Sequence, residues 1–141
     1  MAKILVGVDG SEHSMRAIEH LLKFLPPQGP QEIHLLNVQI PIESGHARMF
    51  VSKEQLDGYY RDEGLAALKG AREILDRAGV SYQHHVAVGH VAETIADYAR
   101  EHGFDQIVIG SHGHGALRHL LMGSVASDVL RRSEIPVTLI K

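Results

Sequence analysis

The chain has 141 residues, 44% of them hydrophobic and 22% charged, with a formal net charge of -3 and no cysteine. That length suits one globular domain, expected to span residues 1–141, and so weak a negative charge gives no general drive toward nucleic acid or an anionic membrane surface. The lack of cysteine excludes disulfide and zinc-thiolate chemistry, and no stretch has the apolar length of a signal peptide or a membrane span, so a cytoplasmic protein without nucleic-acid or membrane partners is expected.

Ile4, Leu5, Val6 and Val8 form a continuous apolar run, as expected for a central parallel strand covered on both faces. Asp9, Gly10 and Ser11 stop it, and either Asp9 or Ser11 can cap the following helix, where Ala17, Ile18, Leu21, Leu22 and Leu25 share one face until Pro26 and Pro27. Residues 33–38 predict a second strand, buried despite His34 and Asn37. Residues 39–50, with Pro41, Ser44 and Gly45, read as a long connection. A helix is predicted over 52–78, weakened by Gly58 and Gly64 and closed by Gly79. Residues 82–88 predict a strand whose adjacent His84 and His85 point to opposite faces, which argues against a shared metal site. A third helix carries Val91, Ile95, Tyr98 and Ala99 on its apolar face and ends at Gly103. The strand at 107–109, a loop, a short helix over 124–132 with Val125, Val129 and Leu130 inward, and a last strand over 137–140 complete the chain. Strands and helices alternating in this way predict an α/β, doubly wound parallel sheet of five strands with right-handed crossovers and helices on both faces.

The chemistry concentrates in 106–127, QIVIGSHGHGALRHLLMGSVAS. Gly110 and Gly113 follow the strand, and Gly123 and Ser124 come after nine intervening residues counted from Gly113, at the start of a helix. Glycines there let backbone N–H groups approach a ligand, and the helix start adds free donors and a positive dipole end, which suits a phosphate. No G-x-x-x-x-G-K-[S/T] occurs, and no lysine lies between Lys69 and Lys141, so this is not a P-loop. Arg118 stands where the third glycine of G-x-G-x-x-G belongs, and Ser111 is one position too early for a nucleophile elbow.

The spacing Gly110-x-x-Gly113, nine residues, Gly123-Ser124 resembles the nucleotide-binding signature of the universal stress protein family. ILVGVDGSEHS, IHLLNV, GHVAETI and IPVTLIK look like family segments in family order. The resemblance implies the strand order 3-2-1-4-5, which sets the first and fourth strands side by side at the topological switch point, where ligands of open α/β sheets bind. It also implies an ATP site, in a cytoplasmic stress-response protein, made by Val8, Asp9, Val38, Ile109, Gly110, Ser111, His112, Gly113, Gly123, Ser124 and Val125. In it Val38 borders the adenine, Asp9 contacts the nucleoside, and the loop glycines with Ser124 hold the phosphates. Bland alternatives stand beside these roles: a turn or cap for Asp9, a helix N-cap for Ser124, and turns of positive φ for the glycines.

Many family members place arginine or lysine where this chain has His112 and His114, so its phosphate affinity is expected to depend on pH, with Arg118 a further candidate cation. ATP, ADP and AMP are not separable from sequence, and Mg2+ bridging the phosphates fits better than a metal held by His112, His114 and His119. Slow ATP hydrolysis or phosphoryl transfer is the enzymatic alternative, but no general base other than histidine and no γ-phosphate lysine accompanies the loop. Finally, the resemblance implies a homodimer through the last strand, whose Val137, Leu139 and Ile140 would leave an apolar edge unpaired in a monomer.

Overall fold

The computed structural model describes residues 2–24, 31–43, 45, 49–111 and 123–141. Predictions resting on Leu25 to Pro27, Ser44 and the loop residues His112, Gly113, His114, Gly115, Arg118 and His119 lie outside those residues. In chain order the elements are β1 (Ala2–Gly7), α1 (Glu12–Phe24), β2 (Gln31–Gln39), α2 (Lys53–Arg77), β3 (Gln83–Val88), α3 (Val91–Glu101), β4 (Gln106–Gly110), α4 (Ser124–Arg132) and β5 (Val137–Ile140). The strands form one sheet in the order β3-β2-β1-β4-β5. Every pairing is parallel, with Ile4 facing Ile33 on one side and Gln106 on the other.

Both faces of the sheet are covered, which is why the central strands read as unbroken apolar runs. On one face Ile4, Val6, Ile33, Leu35 and Val108 meet Ala17, Ile18 and Leu21 of α1 and Leu68, Ala71 and Leu75 of α2. On the other, Leu5, Leu36, Ile107 and Ile109 meet Ala92, Ile95 and Ala99 of α3 and Ala126 and Val129 of α4. Each Leu, Ile or Val so buried contributes about 1.5–3 kcal/mol relative to exposure.

The helix expected to be weak at Gly58 and Gly64 runs unbroken. Its first turn is closed by a capping box: Ser52 Oγ accepts from Gln55 N at 3.1 Å, and Gln55 Oε1 accepts from Ser52 N at 2.9 Å. Gly64 is there for space, since a Cβ would lie 2.4 Å from Val86 Cγ1 on β3. Gly79 and Gly103, at φ 70° and 68°, follow α2 and α3 as the sequence indicates. One face was misassigned. Ala126 and Val129 are the buried pair of α4, three residues apart, while Val125 and Leu130 are 40% and 42% exposed. The 100° step per residue turns Val125 from the sheet toward the carboxyl end of the strands.

Candidate nucleotide-binding site

At the centre of the sheet the chain leaves β1 toward β2 and leaves β4 toward β5, so the two crossovers diverge and open a cleft at the carboxyl ends. A cavity of about 970 Å³ occupies this place, within the range of small-molecule sites. Val8, Asp9, Val38, Ile109, Gly110, Ser111, Gly123, Ser124 and Val125 all line it. Of the residues expected at the site, His112 and Gly113 lie outside the described residues.

The turn after β1 is built by its own polar groups. Asp9 Oδ1 accepts the Ser11 N–H at 2.8 Å across Gly10, whose φ of 82° suits glycine. Ser11, rather than Asp9, caps α1: its Oγ accepts from Ser14 N at 3.3 Å, and its carbonyl takes the Ser14 hydroxyl at 2.9 Å. Asp9 thus serves the turn while still lining the cavity.

On the β4 side, neither Gly110 nor Gly123 makes the positive-φ turn that is the plain alternative to a ligand role for them. Gly110 is not among the glycines of positive φ, and a Cβ on it would come within 2.9 Å of the His13 carbonyl carbon and oxygen. Its bare backbone lets the first turn of α1 close on the end of β4. Ser111, 2% exposed, donates its N–H to Ile140 O at 2.8 Å and accepts Gly123 N–H at 2.6 Å through its carbonyl. This bridge fixes the start of α4 beside the end of β4. Gly123, with φ -73° and ψ 162°, takes the N-cap position, so Ser124 is the first helical residue and not the cap. A glycine brings no side chain to the first-turn amides, and Ser124, Val125 and Ala126 open onto the cavity. The free N–H groups and the positive end of the helix point to an anion.

The end of β2 supplies a second set of backbone groups. Within a strand, N–H and C=O of one residue point to the same side. Leu36 faces β1, where its carbonyl takes Val8 N–H at 2.9 Å, and Gln39 faces β3, where its carbonyl takes Gly89 N–H at 2.9 Å. By alternation Val38 faces the β1 side, beyond the last paired residues, Gly7 and Leu36. A continuing ladder would bring Val38 N–H to the Val8 carbonyl, but that acceptor is taken by Asn37 Nδ2 at 2.8 Å. Among the described residues neither the Val38 N–H nor its carbonyl is bonded to the chain beyond β1, so Val38 offers a donor and an acceptor side by side at the cavity wall, the pattern that matches one edge of a base.

Sequence reasoning missed the wall contributed by α2: Tyr59, Glu63, Ala66 and Ala67. The small pair lets Gly10 approach, since its Cβ would stand 3.3 Å from Ala67 Cα. Tyr60 hydroxyl accepts Ile42 N–H at 2.7 Å and ties the connection after β2 to this helix. Alanines in tandem on a charged helix were the available signal. Among the described lining residues the charged side chains are Asp9 and Glu63, so attraction for an anion rests there on backbone donors.

A separate polar cluster lies on β2 and β3. His34, buried, lies between Glu32 Oε2 and His85 Nε2, at 2.8 Å from each. The hydrogen bond with His34 holds the Glu32 carboxyl below its usual range, and burial, reinforced by the neighbouring His34, pushes His85 down. His84 points the other way, with burial and Arg72 lowering it as well, so the adjacent pair divides between faces as the sequence indicates. Among the described residues no group of three or more side chains is arranged to hold a metal, and no helix is long and apolar enough to cross a membrane.

Fold and cleft together define a doubly wound α/β domain with its ligand cavity at the switch point. The chain belongs to the universal stress protein family, whose model matches residues 1–141. It is 30% identical to Universal stress protein YxiE of Bacillus subtilis, the match covering 99% of this chain and 98% of that protein. A 75-residue stretch, 53% of this chain, is 37% identical to Universal stress protein Slr1230 of Synechocystis and spans 26% of that longer protein. Among solved structures, that of MJ0577, from Methanocaldococcus jannaschii, superposes with a TM-score of 0.82 at 29% identity, covering 99% of this chain and 94% of that one. The universal stress protein from Archaeoglobus fulgidus in complex with dAMP gives a TM-score of 0.64 at 25% identity, covering 100% and 98%.

Proposed function

We propose that this chain is a single-domain member of the ATP-binding, glycine-signature branch of its family and acts as a homodimeric binding or signalling module in the cytoplasmic stress response. The observation that carries the nucleotide reading is the convergence of two backbone devices on one cavity: the uncapped first turn of α4 and the outward-facing donor and acceptor of Val38. The first suits a phosphate and the second a purine edge, with Asp9 between them for the ribose. The dAMP held by the Archaeoglobus relative supports the same class of ligand. In this reading Gly110, Ser111, His112, Gly113, Gly123, Ser124 and Val125 hold the phosphates, and Mg2+ entering with the nucleotide would offset the phosphate charge that the lining does not neutralise.

Calorimetric titration with ATP, ADP and AMP tests the proposal. ATP is expected to bind with micromolar affinity, about -8 kcal/mol. Gly113→Val, which sets a branched side chain in the loop, should abolish it. Equal binding by wild type and variant removes the loop from the site. Phosphate release measured over the same hours distinguishes a binding module from a slow ATPase.

A further inference from the structure

Asn37 and Gln39 stand two apart on β2, on the face of that strand opposite Val38, and both line the cavity. Their amides are oriented by a chain of obligations that begins at the backbone. The Val8 carbonyl can only accept, so Asn37 must turn Nδ2 to it, as it does at 2.8 Å. Asn37 is 3% exposed, so its amide is satisfied by the protein groups around it. Its Oδ1 is left pointing toward Gln39, and Oδ1 too can only accept. Gln39 must therefore give it Nε2, at 2.7 Å. What remains of the Gln39 amide, on a residue that lines the cavity, is Oε1, an acceptor with no hydrogen of its own and, among the described residues, no donor bonded to it.

Resting on the nucleotide reading above, we infer that Gln39 is a specificity-determining residue that selects a 6-aminopurine over a 6-oxopurine. A base edge against Val38 carries its 6-substituent to the carboxyl end of β2, where Gln39 follows. An exocyclic amine has two N–H groups, one for the Val38 carbonyl and one for Gln39 Oε1. A 6-oxo group brings lone pairs against Oε1, and the amide cannot flip to meet it without breaking the bond to Asn37 and leaving a buried acceptor unpaired. Rejection of the oxo base thus comes from an amide whose orientation is set two hydrogen bonds away, at the Val8 carbonyl.

The test titrates ATP and inosine triphosphate into wild type, Gln39→Met and Gln39→Glu. Both variants lose the donor to Asn37, but only glutamate keeps an acceptor at the cavity. The ratio of ATP to inosine triphosphate affinity should fall about tenfold in Gln39→Met and stay at or above the wild-type value in Gln39→Glu. A ratio in Gln39→Met within twofold of wild type overturns the inference. So does an equal fall in both variants, because Gln39 would then matter only through Asn37. If Gln39→Met does not fold, a lowered ratio in Gln39→Glu still overturns it. Wild type that binds neither nucleotide would sink the nucleotide reading itself, whereas tight ATP binding with an unchanged ratio would sink this inference alone.

Discussion

Two glycines of α2 give opposite predictions for the same substitution. Gly58 has nothing within 4 Å of the place a Cβ would take, so Gly58→Ala should show only the gain in helix propensity, about 1 kcal/mol. At Gly64 the same methyl would lie 2.4 and 2.6 Å from the two Cγ atoms of Val86 and 3.1 Å from its Cβ. Valine is stiff at χ1 and cannot swing its methyls clear, so α2 must move off β3. Overpacking of this kind costs about 3 kcal/mol at the upper end of its usual range, and the propensity gain offsets about 1, leaving Gly64→Ala destabilised by about 2 kcal/mol. For a domain of this size that lowers Tm by about 6–8 °C, while Gly58→Ala should raise it by about 3–4 °C. Denaturant unfolding reads both changes as midpoint shifts at constant m. Combining Gly64→Ala with Val86→Ala should recover most of the overpacking loss, because the methyl then has room. Nucleotide affinity should weaken in Gly64→Ala as well, since Glu63, Ala66 and Ala67 of the displaced helix line the cavity. A Gly64→Ala protein as stable as Gly58→Ala would refute the packing argument.

Other consequences concern pH and assembly. His85 and His84 are both held below the usual histidine range, so their unfolded forms take up protons that the folded chain resists; stability should be full above about pH 6.5 and fall as pH drops below it, and His85→Gln should flatten that slope in urea melts from pH 7.5 to 5. A slope identical to wild type would remove His85 as its source. Glu32 adds a loss at lower pH, once acid reaches the depressed carboxyl. For assembly, β5 lies at the edge of the sheet with Val137 and Leu139 half-buried, so wild type should sediment as a dimer at micromolar concentration and Leu139→Lys as a monomer. A monomeric wild type would contradict pairing through this strand.

The strands and their burial on two faces were legible because parallel central strands carry unbroken apolar runs, as at 4–8 and 107–109. Strand order was not; it came with the family resemblance and is the order observed. The proposed phosphate end of the site is marked by Gly123 beside Ser124, though the sequence does not say that glycine is the cap, because serine is the better cap by propensity. Asn37 looked like a polar residue tolerated in a strand. Its part in occupying the Val8 carbonyl, the group a continuing ladder would offer to Val38 N–H, depends on a contact 29 residues away in the chain. Tyr59, Glu63, Ala66 and Ala67 were invisible as site residues for the same reason: α2 reaches the cleft through its packing on β2, β3 and α1, all distant from it in sequence. Val125 lines the cavity, as the resemblance implies, and does not face the sheet as its apolarity suggests; the sheet holds Ala126 instead.

The claim that the two backbone devices form one nucleotide site is tested most directly by amide chemical-shift mapping during an ATP titration. The account predicts saturable, micromolar shifts that include Val38 at one end and Gly110, Gly123, Ser124 and Val125 at the other. Shifts confined to the His34 and His85 region, or none at millimolar ATP, would contradict it.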